Sequence, residues 1–154
     1  APIKEWLARN KGVQVIFLTR ENLLEVYTSL VIANRTGVFG IKDPTERQQM
    51  RLEIDPAEAV AEFQKRIRFQ SAAREALKEH QVLDITYEKL VSDLPGQLDR
   101  IQQFLGVQPI PLNVTTVKQE VRSLSDIITN YDALCQAWEG TEWAAYLSGP
   151  EPIS

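Results

Sequence analysis

The stretch from Val13 to Ser29 (VQVIFLTRENLLEVYTS) constrains the fold more than any other part of the sequence. Val13 to Leu18 is almost continuously apolar and β-branched, as in a parallel strand that helices cover on both faces. From Asn22 onward the apolar residues recur at helical spacing. The stretch therefore predicts a strand that turns directly into a helix, within an α/β fold.

Two side chains around this turn can bind an anion. Arg20 follows the carboxyl end of the predicted strand, where open α/β sheets place their ligands, and Ser29 lies on the following helix. A guanidinium is a planar fork for a phosphate, a hydroxyl can bind the same oxygens, and the helix amino end adds partial positive charge. The alternative is an ordinary buried strand and helix with an exposed arginine.

The run LTRENLLEVYTS, which contains Arg20 and Ser29, resembles the 3′-phosphate-binding segment of sulfotransferases that use 3′-phosphoadenosine 5′-phosphosulfate (PAPS). It is more similar to the bacterial glycolipid type than to the cytosolic animal type, in which the arginine and serine lie one residue closer. The resemblance implies a P-loop-NTPase-like three-layer fold, here a carboxyl-terminal portion with few parallel strands and many helices. It also implies that Arg20 and Ser29 bind the 3′-phosphate of PAPS.

A second segment carries the same resemblance. A predicted strand, Gln81 to Thr86, is followed by Tyr87, and ITYEKLVSDLPGQLDRIQQFLGV resembles the family's segment in which a tyrosine beside the adenosine closes a strand. Half-buried packing is the alternative role for this tyrosine. Related bacterial sulfotransferases have a lysine and a glutamine before the penultimate helix, matching Lys118 and Gln119. Lys118 is therefore expected to reach the nucleotide, with a solvated lysine as the alternative.

The family's remaining active-site parts have no counterpart in this sequence. No GxxxxGK[ST] loop occurs, and the resemblance places the 5′-phosphosulfate loop and a histidine or glutamate base before Val13. We expect residues 1–154 to be a single partial domain that lacks this loop, with its catalytic residues upstream and the missing amino-terminal half as its partner. Alone, the chain is expected to be inactive. The only histidine, His80, is expected at the amino end of the sheet, away from the anion site.

The resemblance implies transfer of a sulfuryl group from PAPS to a hydroxyl or amine of a carbohydrate, glycolipid or other small acceptor. Such a reaction is similar to phosphoryl transfer, where positioning and electrostatic stabilisation supply most of the catalysis. No metal is expected. Two alternatives stay open: a non-catalytic nucleotide-binding or interaction module of the same fold, and an unrelated α/β domain in which Arg20 pairs with an acid.

The composition narrows the class of protein. With 154 residues, 44% hydrophobic and 25% charged, the chain suits one ordered globular domain. The net charge of −4 argues against a large nucleic-acid surface. One cysteine, Cys135, excludes an internal disulfide and fits a reducing compartment, and no apolar run approaches the roughly 20 residues of a membrane span. A cytoplasmic protein is expected.

Local signals predict the other helices. Asp55 before Pro56 predicts a helix start, and the helix should run to about Glu79 with a buried stripe. That stripe comprises Val60, Phe63 and Ile67. Gly106 predicts a left-handed helix end.

Two further expectations concern the ends of the chain. Ser123 with Asp126 predicts a capping box that opens one amphipathic helix ending at Gly140. In the first predicted helix, Ala1 to Asn10, Trp6 is expected to pack inside.

Overall fold

The computed structural model describes residues 2–37, 50–112 and 123–148, so Lys118 and Gln119 lie outside the described residues. Helices and one pair of parallel strands form an α/β structure, as predicted. The elements in chain order are α1 (Pro2–Arg9), β1 (Val15–Thr19), α2 (Leu23–Thr36), α3 (Pro56–Ala76), β2 (Val82–Thr86), α4 (Tyr87–Ser92), α5 (Leu94–Leu105), α6 (Leu124–Ile127), α7 (Tyr131–Trp138) and a 3₁₀ helix (Glu142–Tyr146).

Strands β1 and β2 pair in parallel, in a register that runs from Val15 opposite Val82 to Thr19 opposite Thr86. Both strands are short and rich in β-branched residues, which favours extended backbone. Because the pairing is parallel and in register, both carboxyl ends lie at the same edge of the sheet. The residues that follow the two strands are therefore neighbours.

The described residues divide into two compact units. The first contains residues 2–21 and 67–112, and the second contains residues 22–37, 50–66 and 123–148. Helix α3 contributes its first part to the second unit and its last part to the first. The first unit holds the sheet, and the second holds a hydrophobic cluster built from helices.

Phe63 is the centre of the cluster in the second unit. Its side chain is 1% exposed and makes ring contacts at centroid distances of 5.3 to 6.3 Å. These aromatic partners are Tyr27, Trp138, Trp143 and Tyr146. Edge and tilted arrangements predominate, as the quadrupoles of aromatic rings favour. The buried aliphatic members around it are Leu23, Leu24, Ile32, Leu52, Ile54, Leu124, Ile128 and Leu134.

The carboxyl-terminal helix that was predicted as one element is two elements, so that prediction is wrong. Ile128 leaves helical geometry and forms a parallel bridge with Leu52, with N–H···O distances of 2.8 Å on both sides of the bridge. The Asn130 side chain then binds the backbone of Ile54 through both its oxygen, at 3.0 Å, and its nitrogen, at 2.8 Å. These long-range bonds offset the backbone hydrogen bonds that the helix gives up.

Three predicted helix ends are confirmed, whereas α3 ends at Ala76 and not near Glu79 as predicted. The Asp55 carboxylate accepts hydrogen bonds from the backbone nitrogens of Ala57 and Glu58, both at 2.8 Å. The Ser123 hydroxyl accepts from the backbone nitrogen of Asp126 at 3.2 Å. Gly106 ends α5 with φ of 67°, a left-handed conformation that glycine adopts without steric cost.

Ile16 and Leu18 of β1 are 39% and 54% exposed, so the described residues do not provide the predicted cover on both faces of this strand. Two helical side chains predicted to be inside are also exposed. Trp6 on α1 is 52% exposed, and Ile67 on α3 is 38% exposed. Both belong to the first unit. No helix among the described residues is long and apolar enough to cross a membrane.

Candidate functional site

Arg20 and Tyr87 meet at the carboxyl edge of the sheet. Each directly follows one member of the last register pair, Thr19 and Thr86. The Cζ atom of Arg20 lies 4.1 Å from the centroid of the Tyr87 ring. At this distance the guanidinium is attracted by the negative face of the ring. The structure therefore brings together two of the four residues that the sequence predicts for the site.

Local structure fixes the backbone on the Tyr87 side of this contact. The Thr86 hydroxyl accepts a hydrogen bond from the backbone nitrogen of Lys89 at 3.3 Å and so caps α4, whose first residue is Tyr87. The Tyr87 side chain is 41% exposed. Arg20 is partly buried, and its Nε atom is out of reach of solvent. The contact thus lies at the surface of the first unit, with the arginine stem inside.

The chemistry of this contact suits anion binding. A guanidinium that packs against a ring uses its π face, whereas its N–H groups point outward within its own plane. Those in-plane donors are the ones that bind two oxygens of a phosphate at once. Packing on Tyr87 and binding an anion are therefore compatible for Arg20.

For the other two predicted residues, Ser29 and Lys118, a role beside this pair stays a prediction. Ser29 is partly buried on α2, in the second unit, and its joint action with Arg20 stays a prediction. Lys118 lies outside the described residues. Asn22, which caps α2 by accepting from the backbone nitrogen of Glu25 at 3.1 Å, also donates to the carbonyls of Tyr146 and Ser148. Its amide therefore has a structural role.

Glu88 was not singled out from the sequence, and its environment is unusual. Both carboxylate oxygens are buried, and neither has a hydrogen-bond partner among the described residues. Burying polar atoms without hydrogen-bond partners costs free energy. The sequence signal that was available is position, because Glu88 is the second residue after a strand that ends at the ligand edge of the sheet.

The opposite end of the sheet holds His80, as predicted. Its Nδ1 donates to the carbonyl of Val13 at 3.1 Å, and Val13 precedes β1. His80 also lines a groove of about 680 Å³ in the first unit. The charged side chains of that groove are matched in pairs, Arg74 with Asp84 and Lys78 with Glu75, both at 2.5 Å, so the groove offers an anion no excess positive charge.

Within residues 2–37, 50–112 and 123–148, no group of three or more histidine, cysteine, aspartate or glutamate side chains is placed to hold a metal ion. The lone cysteine, Cys135, is partly buried on α7.

The sheet edge and its stacked arginine define an α/β protein with a candidate anion site, and the comparison with known families makes the class specific. The model of the sulfotransferase family matches residues 12–111, a range that contains Arg20, Ser29 and Tyr87. The chain belongs to the sulfotransferase family. Members of this class transfer sulfuryl groups to small-molecule acceptors. No curated protein and no solved structure gives a significant match.

Sequence reasoning missed the stacking of Arg20 on Tyr87. Each residue was predicted to bind the nucleotide separately, Arg20 through the 3′-phosphate and Tyr87 through the adenosine. The signal for their contact was present, since each follows the end of a predicted strand. The sequence alone did not show that the two strands are direct neighbours in parallel register.

Proposed function

We propose that this chain forms the 3′-phosphate and adenosine side of the PAPS site of a sulfotransferase. The enzyme would transfer the sulfuryl group to a hydroxyl or amine of a carbohydrate, glycolipid or other small acceptor in the cytoplasm. The P-loop-NTPase-like three-layer architecture is part of the proposal. The observation that carries it is the placement of Arg20 on Tyr87 at the carboxyl edge of the sheet, within the segment that matches the family.

In this proposal the residues have distinct roles. Arg20 donates to two oxygens of the 3′-phosphate, and Ser29 donates its hydroxyl to the same group. Tyr87 lies on the adenosine side of the site, and Lys118 reaches the nucleotide from outside the described residues. The extra phosphate distinguishes PAPS from ATP, so Arg20 is the residue that provides this discrimination.

We propose that the amino-terminal half of the same domain completes the site with the 5′-phosphosulfate loop and the base. The distribution of apolar side chains supports this. Among the described residues, every exposed large hydrophobic side chain except Leu30 belongs to the first unit. These side chains include Ile16 and Leu18 of β1, which are 39% and 54% exposed. An apolar strand with these exposures fits a sheet that accepts further cover.

Binding of adenosine 3′,5′-bisphosphate tests the proposal. Replacing Arg20 with alanine should raise the Kd at least about tenfold, because a charge-assisted, two-oxygen contact to phosphate is lost. Titration calorimetry with the 154-residue chain measures this directly. Arg68→Ala removes an exposed arginine of the same unit and should leave the Kd unchanged. Adenosine 5′-monophosphate should compete poorly. Equal binding by the Arg20 variant and the wild type would overturn the proposal.

Turnover distinguishes an enzyme from a non-catalytic module of the same fold. The 154 residues alone should give no sulfuryl transfer from PAPS, because the phosphosulfate loop and the base are proposed to lie elsewhere. A longer polypeptide that also contains the proposed amino-terminal half should transfer the sulfuryl group and release adenosine 3′,5′-bisphosphate. Binding by the longer polypeptide without turnover on any hydroxyl or amine acceptor would favour the module.

A further inference from the structure

We infer that Tyr87 is a positioning residue for Arg20, which gives the site its preference for nucleotides that carry a 3′-phosphate. This inference rests on the proposed function and adds a role that the family match does not assign. In the sequence-based prediction Tyr87 serves the adenosine. The structure shows that its ring face contacts the guanidinium, at 4.1 Å from the ring centroid.

The physical need for such a residue follows from the arginine itself. An arginine side chain has large rotamer entropy, which binding must overcome if the free side chain is disordered. Arg20 stands just beyond the last residue of β1, where strand pairing no longer fixes the chain. A flat ring against the guanidinium restricts both its position and the plane of its fork before the ligand arrives.

The Tyr87 side of the contact is well held. Tyr87 is the first residue of α4, next to Thr86, which is paired in the sheet and caps the helix. Two constraints, a strand ladder and a helix cap, therefore converge on the residue that provides the ring. The Tyr87 ring thereby fixes the position of the Arg20 guanidinium relative to the sheet.

The inference predicts which part of the tyrosine matters. The ring face makes the contact, so Tyr87→Phe should keep the Kd for adenosine 3′,5′-bisphosphate within about twofold. Tyr87→Leu keeps apolar volume but loses the ring, and it should weaken that binding about five- to tenfold. Binding of adenosine 5′-monophosphate, which lacks the 3′-phosphate, should change less than twofold in both variants.

A double-mutant cycle decides whether Tyr87 acts through Arg20. In the Arg20→Ala background, Tyr87→Leu should have less than a twofold further effect on binding of adenosine 3′,5′-bisphosphate, because the positioned group is gone. Thermal unfolding by circular dichroism verifies that each variant is folded. If Tyr87 had only a structural role, Tyr87→Leu would weaken binding of both nucleotides equally, and Tyr87→Phe would also affect the two nucleotides equally.

The outcomes separate this inference from the proposed function. If Arg20→Ala weakens binding but Tyr87→Leu is fully additive, or weakens the monophosphate equally, Tyr87 acts on the adenosine and the positioning role is wrong. If Arg20→Ala has no effect on the bisphosphate, the proposed function itself is wrong. A loss with Tyr87→Leu that is specific for the 3′-phosphate and disappears without Arg20 supports the inference.

Discussion

The Glu88 carboxyl group is buried at a desolvation cost. Its two carboxylate oxygens are buried and have no hydrogen-bond partner among the described residues. Replacing it with glutamine keeps the shape nearly constant and puts an amide, which costs less to bury, in place of the carboxyl group, so the free energy of unfolding should rise by about 1 kcal/mol. Urea unfolding with an unchanged m value measures the difference.

The matched control is Glu21→Gln, because Glu21 is an exposed carboxylate in the same unit. An isolated surface substitution should change the free energy of unfolding by less than about 0.5 kcal/mol. If Glu88→Gln instead destabilises the protein by more than the control, the carboxylate makes a favourable interaction in solution.

Helix α3 contains two phenylalanines with opposite exposure. Phe63 is 1% exposed and contacts four aromatic rings, whereas Phe69 on the same helix is 67% exposed. Phe63→Ala should lower the free energy of unfolding by about 3 to 5 kcal/mol, since it removes buried area and leaves a cavity. Phe69→Ala should change it by less than about 0.5 kcal/mol. Similar losses in the two variants, measured by urea unfolding, would contradict the placement of the core.

Elements that depend on neighbouring residues were predictable from the sequence. The caps at Asp55 and Ser123 and the left-handed end at Gly106 each need only a side chain or a φ angle within a few residues. The break at Ile128 was not predictable in this way. It depends on a bridge to Leu52, far away in sequence, and tertiary bonds of this kind override a helical pattern.

In the candidate site, too, local features were predictable and long-range contacts were not. Arg20 and Tyr87 were identified from strand ends and from resemblance, both of which are local features of the sequence. Their stacking depends on strand order and register, which are long-range properties of the sheet. Trp6 shows the opposite error, because an aromatic residue on a helix indicates a buried face only when another element covers it. At 52% exposure, this tryptophan is not covered to that extent.

The two units differ in how far they bury their apolar side chains. The second unit buries a cluster around Phe63, whereas the first unit leaves many large apolar side chains exposed. The unit that exposes apolar surface is also the one that holds the sheet edge with Arg20. Under the proposed function, exposed apolar surface in the unit that holds the candidate site is expected, because a further segment of the domain would cover its sheet.

The second unit should also govern the stability of the molecule at alkaline pH. Burial, the largest cause in each case, raises the pKa of Tyr27, Tyr131 and Tyr146 above 10.0. Nearby acidic side chains, Glu58 first among them, raise the pKa of Tyr27 further. Above pH 10 the unfolded chain loses these phenolic protons before the folded chain does, so the unfolded state binds fewer protons and the free energy of unfolding falls as the pH rises.

Tyr27→Phe isolates one of these groups. The ring that contacts Phe63 is kept while the titrating hydroxyl is removed. Urea unfolding between pH 8 and pH 11 should therefore give the same stability as the wild type below pH 9 and a shallower decline above pH 10. The decline starts at the pKa of the unfolded tyrosine and ends at the raised pKa of the folded one, because beyond both values the proton difference vanishes. Parallel curves for the two proteins across this range would show that the Tyr27 hydroxyl titrates equally in the folded and unfolded states, and that it lies in water and not against the aromatic cluster.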